Sequence, residues 1–242
     1  MKERRRAEEQ LQDSLSEKEV LLKEVHHRVK NNLQIISSII NLQLHSINDN
    51  RTIVLLRDCQ NRIKAMAFIH DSLYQSDNFS KINIKEYITK LTKNTFYSYT
   101  PKVGDIYLKL NTEHVLLDID QAIPCGLIVN ELLTNVLKHA FDSGWSNNYI
   151  RSNRVETITK KKERNGSVKK KVQVSLNQID KYIYLSVSDN GKGIPEGLDM
   201  EHTESLGYQL IYSLVKQLKG NISIKRNNGT DITVNFKERN NS

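Results

Sequence analysis

Cysteine, proline, tryptophan and long apolar runs are all scarce in this chain of 242 residues. Its two cysteines, Cys59 and Cys125, both fall inside apolar helical patterns. Two thiols are too few for a disulfide scaffold and give no metal-ligand spacing, so a reducing, cytoplasmic setting is expected. Three prolines and ten glycines exclude collagen-like and linker-dominated architectures. No apolar run approaches the ~18 residues that span a bilayer, so no membrane segment is expected. Residues 1–10 are charged throughout and do not read as a signal peptide. Positive charge is in excess, with 36 Lys+Arg against 28 Asp+Glu for a net +8. Seven cations and one anion lie between Lys160 and Lys171, so six of those eight net charges belong to one short stretch. The basicity is therefore local, and nucleic acid is not expected as a partner of the chain as a whole.

What is present is organised in two halves. Apolar residues recur at Leu11, Leu15, Leu22, Val25, Val29, Leu33, Ile36, Ile40, Leu44 and Ile47, mostly three, four or seven apart. That spacing predicts one long helix of coiled-coil or bundle type. Asn48-Asp49-Asn50 interrupts it, and a second run follows at Ile53, Leu56, Cys59, Ile63, Met66, His70 and Leu73. The pair reads as a helical hairpin. One hairpin cannot bury a two-sided apolar stripe, whereas two can as a four-helix bundle, so a homodimer through residues 10–78 is expected.

Beyond residue 80 the pattern changes. A helix is expected over 82–97, strands over 103–110 and 114–118, and an apolar helix over 121–141 starting near Pro124. Alternating runs at 172–178 and 182–188 predict strands, and 205–219 a helix ending at Gly220. A terminal hairpin of 221–226 and 230–236 turns at Asn228-Gly229. The fold class is thus α+β. A hairpin domain at 1–80 precedes an α/β sandwich with a mixed sheet at 81–242, interrupted by a basic insertion at 143–171.

Five stretches carry potential chemistry. In His26-His27-Arg28-Val29-Lys30-Asn31-Asn32, with Leu22 and Val29 at heptad a and Val25 at d, His27 falls at the outward f position. A neutral imidazole there is a competent nucleophile. Glu24, three residues earlier, either orients the ring or is an ordinary surface charge. On the apolar helix, Glu131, Asn135 and Lys138 or His139 share one face, and an amide oxygen there suits Mg²⁺ when phosphates complete the shell. Asp189-Asn190-Gly191-Lys192-Gly193 follows a strand and lets backbone approach a ligand, but it is neither a Walker A loop nor a dinucleotide fingerprint. Ser205-Leu206-Gly207-Tyr208-Gln209-Leu210 opens a helix whose free N–H groups suit phosphate. Gly229-Thr230 sits in the last turn, where taken alone a plain type I′ turn is the better explanation.

Taken in this order, the stretches resemble the catalytic region of sensor histidine kinases, in the subclass related to the HWE kinases. The resemblance spans residues 10–142 and 172–237. Glu24 to Gln34 is similar to the phosphoacceptor box, 130–140 to the N box, and 189–193 and 205–210 to the two glycine boxes. It implies a dimerising phosphoacceptor hairpin followed by a Bergerat-type ATP-binding domain, shared with the Hsp90 chaperones, MutL and gyrase B. By this resemblance His27 is phosphorylated, with His26 as the alternative. Asn135 binds Mg²⁺ with Glu131 beside it, and Asp189 accepts the adenine amino group. Gly191 and Gly193 admit the purine, Lys138 and His139 contact the nucleotide, and Lys138 reaches the phosphates. Ser205 and Gly207 hold the far side, and Thr230 lines the adenine pocket. ATP and Mg²⁺ are the implied cofactors, the receiver domain of a response regulator the implied partner, and a sensor domain is expected upstream.

Two features depart from the family pattern. Arg28 stands where the larger class has an acidic residue after the acceptor, so the general base is Glu131, Glu24 or none. Residues 195–204 are short for an ATP lid. Two rival readings remain: an ATPase of the same domain type without histidine phosphorylation, and nucleic-acid binding through the basic insertion.

Overall fold

The computed structural model describes residues 2–74, 81–99, 106–141, 170–195, 203, 205–226 and 228–239. Most of the insertion expected at 143–171, most of the lid expected at 195–204 and the first residues of the strand expected at 103–110 lie outside the described residues. The chain divides into two units, Met1–Phe79 and Ser80–Ser242.

The first unit is the helical hairpin. Helix α1 runs from Lys2 to Leu44 and helix α2 from Asn50 to Tyr74. The polar interruption works through Asp49, whose carboxylate accepts the Thr52 N–H at 2.8 Å in the first turn of α2. Helix α1 stops at Leu44, short of the Ile47 that the spacing predicts, because His45 and Ser46 turn back onto the Leu42 and Gln43 carbonyls. The helices are antiparallel. Deep in the hairpin Gln60 donates to the Ser37 carbonyl at 2.9 Å, and nearer the other end Lys30 pairs with Asp71 at 2.6 Å. Ile35, Ile39 and Leu42 fall on one side of α1 and remain exposed, as do Val54 and Leu55 on α2. Among the described residues no helix is long and apolar enough to cross a membrane.

The second unit is an α/β sandwich with a mixed sheet. Strands β2 (Ile106–Thr112), β4 (Lys170–Ile179), β5 (Tyr182–Asp189), β6 (Asn221–Lys225) and β7 (Asp231–Lys237) order as β2-β4-β5-β7-β6. Only the β2–β4 pair is parallel. Alternation puts Val174, Leu176, Leu185, Val187, Val234 and Phe236 on the buried face, while Tyr184, Ser186, Thr233 and Asn235 point the other way. Helices α3 (Ile84–Tyr99), α4 (Ile119–Asn135) and α5 (Leu206–Gln217) supply the second layer, with α4 between the other two. Two short strands, β1 (Ile82–Asn83) and β3 (Leu116–Leu117), pair with each other, so the strand expected at 114–118 reduces to two residues outside the main sheet.

Helix α4 starts earlier than its proline suggests. Asp118 caps it, accepting the Gln121 N–H at 2.8 Å, and Pro124 lies inside the helix. At its other end the single helix expected over 121–141 is in fact two pieces. The α-helix closes at Asn135, and Val136–Ala140 form a π-helical turn. The Val136 N–H is shared between the Leu132 and Leu133 carbonyls where the two pieces meet.

Candidate functional site

The π turn and the end of β5 build one wall each of a cavity of about 310 Å³ in the second unit. Its apolar lining comes from Leu132, Val136, Val187, Ile194 and Ile232. Its polar groups are Asn135, His139, Asp189, Lys192 and Thr230, with Gly193 and Tyr208 completing the surface. A mostly apolar cavity with a few converging polar groups suits a planar heteroaromatic ring.

Asp189 is the most constrained of these groups. Its carboxylate accepts the Gly191 N–H at 2.7 Å and both the N–H and the hydroxyl of Thr230, while its own N–H donates to the Thr230 carbonyl at 2.8 Å. Burial raises its pKa, and the three donated hydrogen bonds oppose that rise. A carboxylate has about four acceptor sites, so three donors leave room for one more. Burial, and then the nearby Asp189 charge, push the Tyr208 phenol above its ordinary pKa.

The loop after Asp189 is held by close backbone packing. A Cβ on Gly191 would sit 2.1 Å from the Ala140 carbonyl oxygen, which accepts the Lys192 N–H at 2.8 Å. Gly191 therefore admits the end of the π turn, and it does not line the cavity. Gly193 does line it, with φ +75, a left-handed conformation that favours glycine. Asn190 fastens the loop to β4, its side chain accepting the Lys171 N–H at 2.6 Å.

Of the residues expected to contact a nucleotide, the cavity brings together Asn135, His139, Asp189, Gly193 and Thr230. Glu131 is buried one turn before Asn135 and lies outside the lining. Lys138 is half-buried beside His139 and also lies outside it. Ser205 stands at the N-cap of α5 without capping through its side chain, and Gly207 is buried in the first turn. Neither reaches the lining. Lys192 and Tyr208 do, and both sat inside the quoted motifs without an assigned role. Position within those motifs was their only signal.

Asn135 provides the test for a metal. Its side-chain Nδ2 is buried without a hydrogen-bond partner although the residue lines the cavity. Amide oxygen and nitrogen are exchanged by a half-turn of the group, so that place takes an oxygen as readily, and an oxygen there has no competing partner. The residues present thus fit an oxygen-loving divalent ion such as Mg²⁺.

In the first unit, His27 is exposed on α1. Glu24 binds Arg28 at 2.8 Å across one helical turn, as the surface-charge reading of this residue has it. Nothing is described of the side chain of His26.

The sheet, its helical layer and this cavity define a nucleotide-binding α/β sandwich. Residues 120–240 match the family model described as histidine kinase-, DNA gyrase B-, and HSP90-like ATPase, and residues 24–99 match the one described as histidine kinase. The chain belongs to the histidine kinases. It is 27% identical over 231 residues to the sensor histidine kinase PdtaS of Mycobacterium tuberculosis, covering 91% of this chain and 40% of that protein. It is 25% identical over 230 residues to blue-light-activated histidine kinase 2 of Erythrobacter litoralis, covering 93% of this chain and 58% of that one. The chain thus spans less than two thirds of the length of each of these relatives. Among solved structures, the histidine kinase domain of an Erythrobacter litoralis blue-light-activated histidine kinase shares the fold, with a TM-score of 0.60 at 23% identity. That match covers 93% of this chain and 94% of the other.

Proposed function

We propose that this chain is the kinase core of a two-component system. It takes ATP with Mg²⁺ in the cavity of the second unit, moves the γ-phosphoryl group to His27, and passes it to an aspartate of a response-regulator receiver domain. One observation carries the reading: a single chain holds an exposed imidazole on a hairpin helix and, in its other unit, a purine-sized apolar cavity with a half-buried carboxylate.

Asp189 offers its remaining acceptor site to the adenine amino group, with Thr230 holding the carboxylate in place. Tyr208 and the aliphatic lining exclude water from the ring faces. Lys192 and Lys138 add positive charge for the phosphates, as do the first-turn N–H groups of α5 that Ser205 leaves uncapped. Asn135 would hold Mg²⁺, which when bound neutralises charge on the transferring group.

The neutral His27 ring attacks with its unprotonated nitrogen. An N–P bond forms as the P–O bond to ADP breaks, and the proton on the other ring nitrogen leaves to solvent. A lone pair already present needs no general base to free it. This agrees with a Glu24 tied to Arg28 and a Glu131 buried outside the cavity lining. The same reading takes the exposed stripe of α1 as a homodimer seam.

Incubation with radiolabelled ATP and Mg²⁺ should give an acid-labile phosphoprotein. His27→Ala should abolish the label while nucleotide binding survives, and full labelling of that variant would overturn the assignment. Asn135→Ala should lose the Mg²⁺-dependent part of ATP affinity. Unchanged affinity would remove it from the metal site.

A further inference from the structure

The Lys30–Asp71 ion pair joins the two helices of the hairpin at 2.6 Å, and both side chains are about one-third exposed, at 32% and 34%. That degree of exposure matters in two ways. The pair is sheltered enough to be more than a surface contact, yet its ammonium is open to a second anion. Lys30 also lies three residues after His27 on α1. Residues so spaced stack on one helix face with Cβ atoms about 5–6 Å apart. A lysine ammonium on its flexible stem covers that distance. Arg28, one residue from His27, points to a different side of the helix and is held by Glu24.

We propose that Lys30 is a positioning residue shared between two anions: Asp71 while His27 is unmodified, and the phosphoryl group once His27 carries one. The charge balance favours the exchange. By analogy with other phosphorylated side chains, the new group brings about −1.5 to −2 near neutral pH, against −1 on Asp71. Drawing Lys30 toward His27 weakens the tie between α1 and α2 beside the acceptor. Phosphorylation is thereby converted into a change in how the hairpin is held. The inference rests on His27 being the acceptor, and it adds what the next turn of helix does when the acceptor is charged.

The readout is the titration of the phosphohistidine itself, followed by phosphorus NMR on the full chain. A nearby ammonium favours the dianion, so Lys30→Met should raise the apparent phosphoryl pKa by about half a unit. Asp71→Asn releases Lys30 and should lower it by a similar amount. Lys30→Arg should restore the wild-type curve. A pair serving only to hold the helices would change melting in both Lys30→Met and Asp71→Asn and leave the titration of each on the wild-type curve, which would overturn the proposal. Should Lys30→Met fail to fold, a wild-type titration curve in folded Asp71→Asn suffices to overturn it. Loading the exposed imidazole chemically with phosphoramidate, and identifying its resonance by its absence in His27→Gln, separates the two readings. If ATP does not label His27, the acceptor assignment falls. If the resonance is present and neither substitution moves it, this inference falls alone.

Discussion

Gly191 carries a constraint one atom wide. An added Cβ would meet the Ala140 carbonyl carbon and oxygen, backbone atoms that cannot turn aside. Gly191→Ala should therefore lose about 1–3 kcal/mol in urea unfolding. The milder Gly193→Ala, whose Cβ would lie 3.3 Å from the Gly229 oxygen, should lose about 1 kcal/mol, through its positive φ. Asp189 makes a prediction of opposite signs in two experiments. Burial holds its folded pKa above the ordinary value, so between those two values the folded chain binds more protons than the unfolded one. Stability from this group is then gained as pH falls through the raised pKa and lost as pH rises. Nucleotide affinity should move the other way, falling with pH because a protonated carboxyl accepts the amino group poorly. Paired calorimetric titrations of wild type and Asp189→Asn, the latter weak and flat with pH, check this. Asn135 stood out in the sequence as an amide on an apolar helix, whereas Asp189 and Thr230 suit an ordinary strand end and turn and were singled out through the family resemblance. Gly191 was harder to read, because a glycine states only that something comes close. The neighbour proved to be the chain's own Ala140.

Helix α4 is the element that relates core to site. Asp118 caps one end, and Asn135 reaches the cavity from the other, seventeen residues or about 25 Å along the axis. Its apolar composition made a buried helix predictable, but not its boundaries. Pro124 reads locally as a start signal, and the side-chain cap six residues earlier outweighs it. The π turn left no mark on the pattern at all. It ends at Ala140, whose carbonyl accepts the Lys192 N–H, a contact between segments fifty residues apart. Strand β3 was overestimated for a related reason. Val115 and Leu117 are buried and look like sheet, yet the local ladder offers only two partner residues. If α4 acts as a rigid strut, damage at its far end should change stability without changing the site. Asp118→Ala should lower unfolding free energy by about 1 kcal/mol. ATP-analogue affinity, measured in the same sample, should stay within about twofold, since a larger change requires that the loss spread to Asn135.

For the whole molecule, the decisive quantity is apolar surface that the hairpin does not cover. Ile35, Ile39 and Leu42 follow helical spacing along α1 and are 57%, 52% and 70% exposed. Scattered exposed leucines need no explanation, but a stripe three and four apart is a seam. The inner side of α1 is already used, since Ser37 is buried against Gln60 and Lys30 reaches Asp71. Under the proposed function the stripe is a dimer seam, and another hairpin provides a surface of matching spacing and length. The net positive charge argues neither for nor against this, because most of it lies between residues 160 and 171, far along the chain from α1. Sedimentation equilibrium at micromolar concentration should therefore give a dimer. Ile39→Glu places a charge in the middle of the seam and should shift the population to monomer. Since the cavity is built entirely from residues of the second unit, ATP-analogue affinity should be unchanged in the monomer. Loss of binding together with dimerisation would mean that the two units do not work independently, and a wild type that sediments as a monomer would mean that the stripe meets something other than a second copy of this chain.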